Sequence, residues 1–161
     1  MRIRFFSVGG TIDKVYFDAL SKYQIGQPCI RGILKDARVN FVYDVKSLMK
    51  KDSLDMTDQD RQSVLEAVLA DDCDHIVITH GTDTMIETAK VLKKIPGKVI
   101  VLTGAMEPAC FKTSDAPFNL GFAISAVQTL THGVYIAISG RIFDPDKTRK
   151  DRDLKQFQEE I

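Results

Sequence analysis

Short apolar segments alternate with amphipathic segments along the chain, and this alternation predicts the fold. Runs of β-branched and other apolar residues predict strands at 2–8, 39–48, 76–78, 98–102 and 134–138. Helical spacing and helix-start residues predict helices at 31–38, 57–70, 84–94 and 119–130. Strands that alternate with helices are typical of a parallel sheet with helices on both faces. We therefore predict one three-layer α/β domain over residues 1–161, with a mostly parallel, flavodoxin-like or Rossmann-like sheet.

Two of the predicted helices begin with a specific polar signature. Thr57 is followed three residues later by Asp60, and Thr84 is followed three residues later by Glu87. This is the spacing of a capping box, in which the two side chains satisfy free backbone N–H groups at the start of a helix. Both positions are therefore predicted as helix N-termini.

Two segments do not fit the simple alternation. Residues 12–30 show no clear period, and a connection of this length is typically either a functional lid or an irregular surface loop. Near the end, Leu154, Phe157 and Ile161 recur at helical spacing, which predicts a closing helix at about 151–161. Its apolar stripe would pack on the domain or on a neighbouring subunit, and it favours a homodimer or homotetramer.

Small polar turns follow the first four predicted strands. They are GGT, SLDM, HGTDT and TGAM. The carboxyl ends of parallel strands share one edge of a sheet, and ligands bind there at the point where the strand order reverses. In a flavodoxin-like order this point lies between strands one and three, which carry Thr11 and Thr82 in their turns. We expect these two threonines to face each other across one crevice.

The overall composition favours a small neutral or zwitterionic partner. Lys plus Arg and Asp plus Glu both number 22, so net charge favours neither nucleic acid nor an anionic membrane. The first residues show no signal-peptide pattern and no apolar run approaches about 18 residues, so a cytoplasmic protein is expected.

Cys29, Cys73 and Cys110 are odd in number and widely spaced, which indicates free thiols. The three histidines lack metal-ligand spacing, so no metal is expected.

The turn residues carry groups that acyl transfer requires. Neither a phosphate-loop pattern nor G-x-G-x-x-G is present, so a nucleotide is not favoured. A hydroxyl nucleophile needs a base to accept its proton and donors to stabilise the oxyanion. The backbone N–H groups of Gly10, Gly81 and Thr82 are suitable donors. The residue types at 82–84 also serve as ordinary helix caps, so a purely structural interpretation stays open.

The base is less clearly marked in the sequence. His80 adjoins the turn, but neighbouring side chains in an extended segment point to opposite sides, so His80 should point away from Thr82. A lysine can accept a proton when it is neutral for part of the time. Lys147 and Lys150 follow the last predicted strand and either could reach back over the sheet edge. Both also fit solvated surface positions, so spacing alone does not choose between them.

Five motifs together resemble the N-terminal domain of bacterial-type L-asparaginases. In chain order they are GGTI at 9–12, SLDM at 53–56, HGTDTM at 80–85, TGAM at 103–106 and DAPFNL at 115–120. The resemblance spans nearly the whole chain. It implies hydrolysis of asparagine to aspartate and ammonia, without a metal or cofactor.

The resemblance also implies roles for individual residues. Thr11 matches the primary nucleophile, and Tyr23 matches the tyrosine of a lid that assists it. Thr82, Asp83 and Lys150 match a second cluster, in which the threonine and the lysine handle protons. Lys150 is chosen over Lys147 by counting from the start of the last predicted strand.

Substrate contacts follow from the same match. Asp83 is expected to hold the α-ammonium, Ser53 and neighbouring backbone the α-carboxylate, and the Ala105 carbonyl the side-chain amide. Two alternatives stay open, namely hydrolysis of another small amide such as glutamine, and a noncatalytic amino-acid-binding or regulatory domain. The joint presence of Thr11, Thr82 and Lys150 favours catalysis, because binding alone does not require them.

Overall fold

A computed structural model describes residues 1–160, and within this range a central sheet is flanked by helices. The strands are β1 Arg2–Gly9, β2 Lys14–Phe17, β3 Lys22–Ile25, β4 Val42–Lys51, β5 His75–Thr79, β6 Val99–Thr103, β7 Gly133–Ile138, β8 Arg141–Phe143, β9 Thr148–Asp151 and β10 Gln156–Glu159. The helices are α1 Ile30–Asp36, α2 Asp58–Ala70, α3 Met85–Leu92 and α4 Ala116–Thr129. The predicted α/β class is confirmed.

The central sheet has the strand order that the sequence predicted. Its order is β4-β1-β5-β6-β7-β8. Neighbouring strands from β4 to β7 are parallel, and β8 is antiparallel to β7 at the edge. The strand order reverses between β1 and β5, so the turns after these strands lie at the switch point of the sheet.

The two faces of the sheet bury separate apolar layers. Ile76 and Ile78 of β5 pack in the layer that contains residues of α2 and α3. Val77, between them, packs in the layer that contains residues of α1 and α4. Successive side chains of a strand point to opposite faces, so a strand covered on both sides must be apolar throughout. This explains why β5 reads as a continuous apolar run.

The two predicted capping boxes have different outcomes. Thr57 accepts a hydrogen bond from the Asp60 backbone N–H, and Asp60 accepts one from the Thr57 backbone N–H, so the capping box of α2 is confirmed. The predicted capping box at Thr84 is wrong. The Thr84 hydroxyl instead donates to the backbone carbonyl of Ser53 at 2.7 Å. Thr84 therefore ties the turn before α3 to the turn after β4.

Residues 12–30 contain ordered structure rather than an irregular loop. A short 3-10 turn, Thr11–Asp13, leads into an antiparallel hairpin of β2 and β3. The Gly26 backbone N–H donates to the Asp13 backbone carbonyl at 2.7 Å, and the Cys29 backbone N–H donates to the Asp13 carboxylate at 2.8 Å. Asp13 thus fixes the base of the hairpin from both sides.

The predicted closing helix over 151–161 is wrong, because β9 and β10 form an antiparallel hairpin there. Phe157 is buried and its ring lies 6.1 Å from the ring of Phe143, whereas Leu154 is 60% exposed in the turn. Ile161 lies outside the described residues. The spacing of these residues matched a helix, but of the two that the structure describes, Phe157 contributes to the core and Leu154 does not. The helical stripe that favoured a homo-oligomer does not form.

Within residues 1–160, no helix combines the length and apolar character that crossing a membrane requires.

Candidate active site

A cavity of about 230 Å³ opens where the turns after β1 and β5 meet the hairpin of β9 and β10. Its walls are formed by Thr11, Thr82, Asp83, Met106, Lys150, Arg152 and Lys155. Thr11 lies two residues after the end of β1, and Thr82 lies between β5 and α3. The two threonines therefore line one cavity at the switch point of the sheet.

Close backbone packing brings these turns together. Gly10 has a φ of 86°, and a Cβ atom there would lie 2.4 Å from the backbone nitrogen of Gly81. A Cβ atom on Gly81 would lie 2.6 Å from the hydroxyl oxygen of Ser53. Only glycine satisfies both the positive φ and the contact at Gly10. Gly10 thus packs on the backbone of Gly81, and Gly81 packs on the side chain of Ser53, next to Thr11 and Thr82.

Lys150 joins the two polar residues of the second cluster. Its Nζ donates to the hydroxyl oxygen of Thr82 at 2.7 Å and to the carboxylate of Asp83 at 2.7 Å. Thr82 is 7% exposed, so this contact is largely shielded from water. Lys147 ends the 3-10 turn Pro145–Lys147 and does not line the cavity. Of the two lysines considered from sequence, the structure brings Lys150 to Thr82.

The β9–β10 hairpin determines the direction of the Lys150 side chain. Phe157 is directly opposite Lys150 in the antiparallel register. Residues that are directly opposite each other project to the same face of a hairpin. Since Phe157 is buried against the domain, Lys150 points inward as well. Arg149 and Gln158 form the next pair and bond to each other at 2.7 Å on the other face.

His80 is a buried structural residue, as the sequence suggested. It is fully buried, its Nδ1 lies 2.7 Å from the Gly81 carbonyl oxygen, and its Nε2 lies 2.8 Å from the Thr88 hydroxyl. A carbonyl can only accept, so Nδ1 carries the proton and Thr88 donates to Nε2. Burial lowers the pKa of His80 to about 4, opposed by the bond to Gly81. The ring is therefore neutral at pH 7.

The buried neutral state of His80 predicts a specific pH dependence of stability. Unfolded histidine binds a proton below its ordinary pKa of 6.5, whereas folded His80 does so only near 4. Stability is therefore lost as pH falls from about 6.5 to about 4, by about 3 kcal/mol in total. We expect urea unfolding at pH 7 and pH 4.5 to show this loss. Compared with the wild type, the loss of stability should be much smaller in His80→Gln and the same in the exposed control His132→Gln. An equal loss in the wild type and both variants would contradict the assignment of the loss to His80.

The turn after β6 is held by residues from the start of α4. Asp115 accepts the backbone N–H of Met106 at 3.0 Å, and the Asn119 side-chain amide donates to the Gly104 carbonyl at 2.9 Å. Ala105, between Gly104 and Met106, is buried. These bonds explain how TGAM and DAPFNL act as one structural unit although they are separated in the sequence.

Tyr23 is one candidate residue that the structure does not bring to the cavity. It lies on β3, is 47% exposed, and its ring contacts Tyr16 and Phe111. It lines a separate cavity of about 700 Å³ together with Lys14 and Lys50. Ser53 and Ala105 are buried next to the turns rather than exposed in the cavity wall.

Sequence reasoning missed four residues near the candidate site. Met106 accepts a long hydrogen bond of 3.8 Å from the Thr82 hydroxyl, and Arg152 and Lys155 also line the cavity. Asp13 is fully buried, and burial raises the pKa of its carboxyl group against the opposing bonds that it accepts. Met106 and Asp13 lie inside or next to quoted motifs and could have been found there. Arg152 and Lys155 were assigned to a helix that does not form.

Comparisons with known proteins show which family the chain resembles. A family model described as "Asparaginase, N-terminal" matches residues 2–158. An L-asparaginase of Thermococcus kodakarensis is 32% identical over 152 residues, which cover 88% of this chain and 45% of that protein. A protein of Haemophilus influenzae named "Probable L-asparaginase periplasmic" is 32% identical over 151 residues, which cover 87% of this chain and 43% of that protein.

Solved structures show the same relationship. The thermostable L-asparaginase from Thermococcus kodakarensis superimposes with a TM-score of 0.85 at 28% identity, covering 99% of this chain and 51% of that one. A probable cytoplasmic L-asparaginase from Campylobacter jejuni gives a TM-score of 0.81 at 29% identity, covering 98% and 51%. This chain spans about half the length of the relatives that it matches. Because the family model covers almost all of the chain, the protein belongs to the asparaginase family and matches the N-terminal domain of that family.

Proposed function

We propose that this protein hydrolyses the side-chain amide of L-asparagine to L-aspartate and ammonia, with Thr11 as the nucleophile. The observation that supports this most is the bonded cluster of Lys150, Thr82 and Asp83 in the same cavity as Thr11. Acyl transfer requires a nucleophile and a group that moves the proton of the nucleophile. The Thr11 hydroxyl would be the nucleophile, and the Lys150–Thr82 pair would move the proton. The relatives are named L-asparaginases, and this supports asparagine as the substrate.

The reaction would proceed in two steps. In the first, the Thr11 oxygen bonds to the amide carbon, the carbon–nitrogen bond breaks, and the proton from Thr11 ends on the leaving nitrogen as ammonia is released. In the second, the oxygen of water bonds to the same carbon, the ester bond to Thr11 breaks, and a proton returns to Thr11. Thr82 and Lys150 pass these protons, and the backbone N–H groups of Gly81 and Thr82 stabilise the oxyanion. The Gly10 N–H, which the sequence also suggested as a donor, is already bonded to the Lys51 carbonyl at 3.0 Å.

Recognition of the substrate is proposed for neighbouring groups. The Asp83 side chain is 32% exposed and supplies a carboxylate for the α-ammonium. Ser53 with its neighbouring backbone takes the α-carboxylate, and the Ala105 carbonyl takes the side-chain amide. Tyr23 assists Thr11 in this proposal only when the β2–β3 hairpin moves toward the cavity, because Tyr23 lies outside it in the structure.

Location and assembly stay predictions. The Campylobacter neighbour is described as cytoplasmic, whereas the Haemophilus relative is described as periplasmic, and we favour the cytoplasm for this protein. A homodimer or homotetramer would have to use surfaces other than the predicted closing helix.

The proposal is tested by ammonia release from a panel of small amides that includes asparagine and glutamine. We expect the highest kcat/KM for the ω-amide of a four-carbon chain such as asparagine. Thr11→Ala, purified in the same way, controls for asparaginases of the expression host. Higher kcat/KM for glutamine would support the alternative amide. Calorimetric binding of asparagine without ammonia release would support a noncatalytic binding domain and exclude the proposed reaction.

A further inference from the structure

Two of the three cysteines face one small cavity outside the candidate active site. Cys29 immediately precedes α1, and Cys110 lies in the loop between β6 and α4. Both residues line a surface cavity of about 330 Å³. Cys29, Cys73 and Cys110 are all free thiols, of which Cys73 is buried, Cys29 is partly exposed and Cys110 is exposed. The proposed hydrolysis uses neither Cys29 nor Cys110, so the role of this pair is open.

The start of the β2–β3 hairpin holds both cysteines in place. The Cys29 backbone N–H donates to the carboxylate of Asp13, the residue before β2, at 2.8 Å. Cys110 Sγ lies 3.5 Å from the carbonyl oxygen of Lys14, the first residue of β2. Two neighbouring residues therefore bring two distant segments of the chain to the base of the same hairpin.

The surroundings of the two thiols favour a bond between them. Burial, the Asp13 carboxylate and the Cys110 thiol together raise the pKa of the Cys29 thiol to about 11. Electrostatic effects decrease with distance, so the effect of Cys110 indicates that the two thiols lie near each other. A disulfide carries no charge, so it avoids the cost of burying a Cys29 thiolate. A thiol of high pKa is also a slow leaving group, and a disulfide that contains Cys29 therefore resists reduction.

We propose that Cys29 and Cys110 form a reversible disulfide that holds the β2–β3 hairpin in its observed position and thereby lowers turnover at the candidate active site. The effect on turnover rests on the proposed amide hydrolysis, whereas the disulfide itself does not. The site is a thiol pair that reacts with small disulfides, such as oxidised glutathione.

The bond forms by two exchanges of thiol for disulfide. The sulfur of Cys110, the exposed thiol, bonds to one sulfur of the oxidant, whose S–S bond breaks and releases one small thiol. The sulfur of Cys29 then bonds to the sulfur of Cys110, and the mixed disulfide breaks and releases a second small thiol. Two electrons pass from the cysteines to the oxidant, and the two cysteine protons end on the released thiols.

Phe111 connects this disulfide to the candidate active site. It follows Cys110 in the chain, and its ring centroid lies 5.8 Å from that of Tyr23. This contact stabilises the position of Tyr23 outside the cavity that contains Thr11. A bond from Cys110 to Cys29 would fix Phe111 against the hairpin. Because the proposed assistance by Tyr23 requires the hairpin to move, the oxidised protein should turn over asparagine slowly.

Tryptic mapping without reduction, after incubation of the whole protein with oxidised glutathione, tests for the bond. We expect residues 23–31 to be joined to residues 99–112, the tryptic peptides that contain Cys29 and Cys110. Cys29→Ser and Cys110→Ser should not form this cross-link. The control Cys73→Ala should form it, because Cys73 is buried and does not line the cavity. Stable attachment of glutathione to wild-type Cys110 without the cross-link, or no reaction, would overturn the proposal.

Ammonia release by the cross-linked protein tests the effect on turnover. We expect kcat for asparagine to fall by about a hundredfold, the lower end of the loss typical of a missing proton-transfer group, and dithiothreitol to restore it. Cys110→Ser should keep the kcat of the reduced wild type with and without the oxidant. An unchanged kcat in fully cross-linked protein would overturn the proposed control of turnover.

Hydrogen exchange separates this proposal from the proposed hydrolysis. If the reduced protein hydrolyses no amide, the proposed function fails, but the cross-link should still slow exchange in residues 14–25. Slower exchange in the cross-linked wild type, with no change in Cys110→Ser treated in the same way, would uphold the hold of the disulfide on the hairpin. Equal exchange in the reduced and cross-linked wild type would overturn it.

Discussion

Replacing Thr11 with alanine is expected to lower kcat for asparagine by about a thousandfold or more, because the variant lacks the proposed attacking oxygen. Thr82→Val is expected to cause a loss of similar size, because valine has the same shape but cannot bond to Lys150 Nζ, which lies 2.7 Å from the hydroxyl of Thr82. Neither change alters the apolar layers of the sheet. Steady-state ammonia release measures both effects.

Serine variants are the matched controls for these two threonines. Thr11→Ser and Thr82→Ser keep the hydroxyl and should retain far more activity than Thr11→Ala and Thr82→Val. Thermal unfolding should show melting temperatures close to that of the wild type for all four variants. Peptide mapping after acid quench should locate an acyl ester on Thr11. Wild-type turnover in Thr11→Ala would exclude Thr11 as the nucleophile, and an ester on Thr82 would reverse the two roles.

Replacing Lys150 with methionine is expected to lower kcat by about a hundredfold to ten-thousandfold, the range typical of a lost proton-transfer group. Methionine keeps much of the length and apolar stem of lysine but cannot accept or donate the proton that Thr82 exchanges with it. The change also removes the cation that lies 2.7 Å from Asp83, so binding of the substrate ammonium can improve while turnover falls. Separate measurement of KM and kcat distinguishes the two effects.

Lys147→Met is the control for Lys150→Met. Lys147 lies three residues earlier, at the end of a 3-10 turn, and does not line the cavity. Its replacement should leave kcat within about twofold of the wild type, as is usual for surface substitutions. Loss of activity in Lys147→Met with activity retained in Lys150→Met would show that another lysine handles the proton in solution.

Local patterns predicted the central sheet well because its strands carry strong, local signals. The apolar run of β5 requires cover on both faces, and α2 and α3 cover one face while α1 and α4 cover the other. The turns at Gly10 and Gly81 likewise follow from their own residues, since glycine permits the close approach of two backbones. The order of the strands then places Thr11 and Thr82 in one cavity.

The hairpins were missed because their formation depends on contacts with distant residues. Four-residue strands such as β2, β3, β9 and β10 have weak periodicity, and Leu154 and Phe157 match helical spacing by coincidence. The decisive contact for β10 is between Phe157 and Phe143. Thr84 shows the same effect at a helix start, where the carbonyl of Ser53 from another turn takes the place of the local partner Glu87.

The sequence by itself determined the alternation of strands and helices and the presence of two threonine turns, since apolar periodicity and turn chemistry act over a few neighbouring residues. Only the tertiary structure showed the contact of Lys150 with Thr82 that the family resemblance implied, and only it added Met106, Arg152 and Lys155 to the cavity wall. Lys150 meets Thr82 across 68 positions of the chain, and this contact depends on the hairpin that also carries Arg152 and Lys155. Tyr23 lies on the β2–β3 hairpin, which places it at a different cavity. Contacts between distant segments depend on how whole elements pack, and local spacing does not encode that packing.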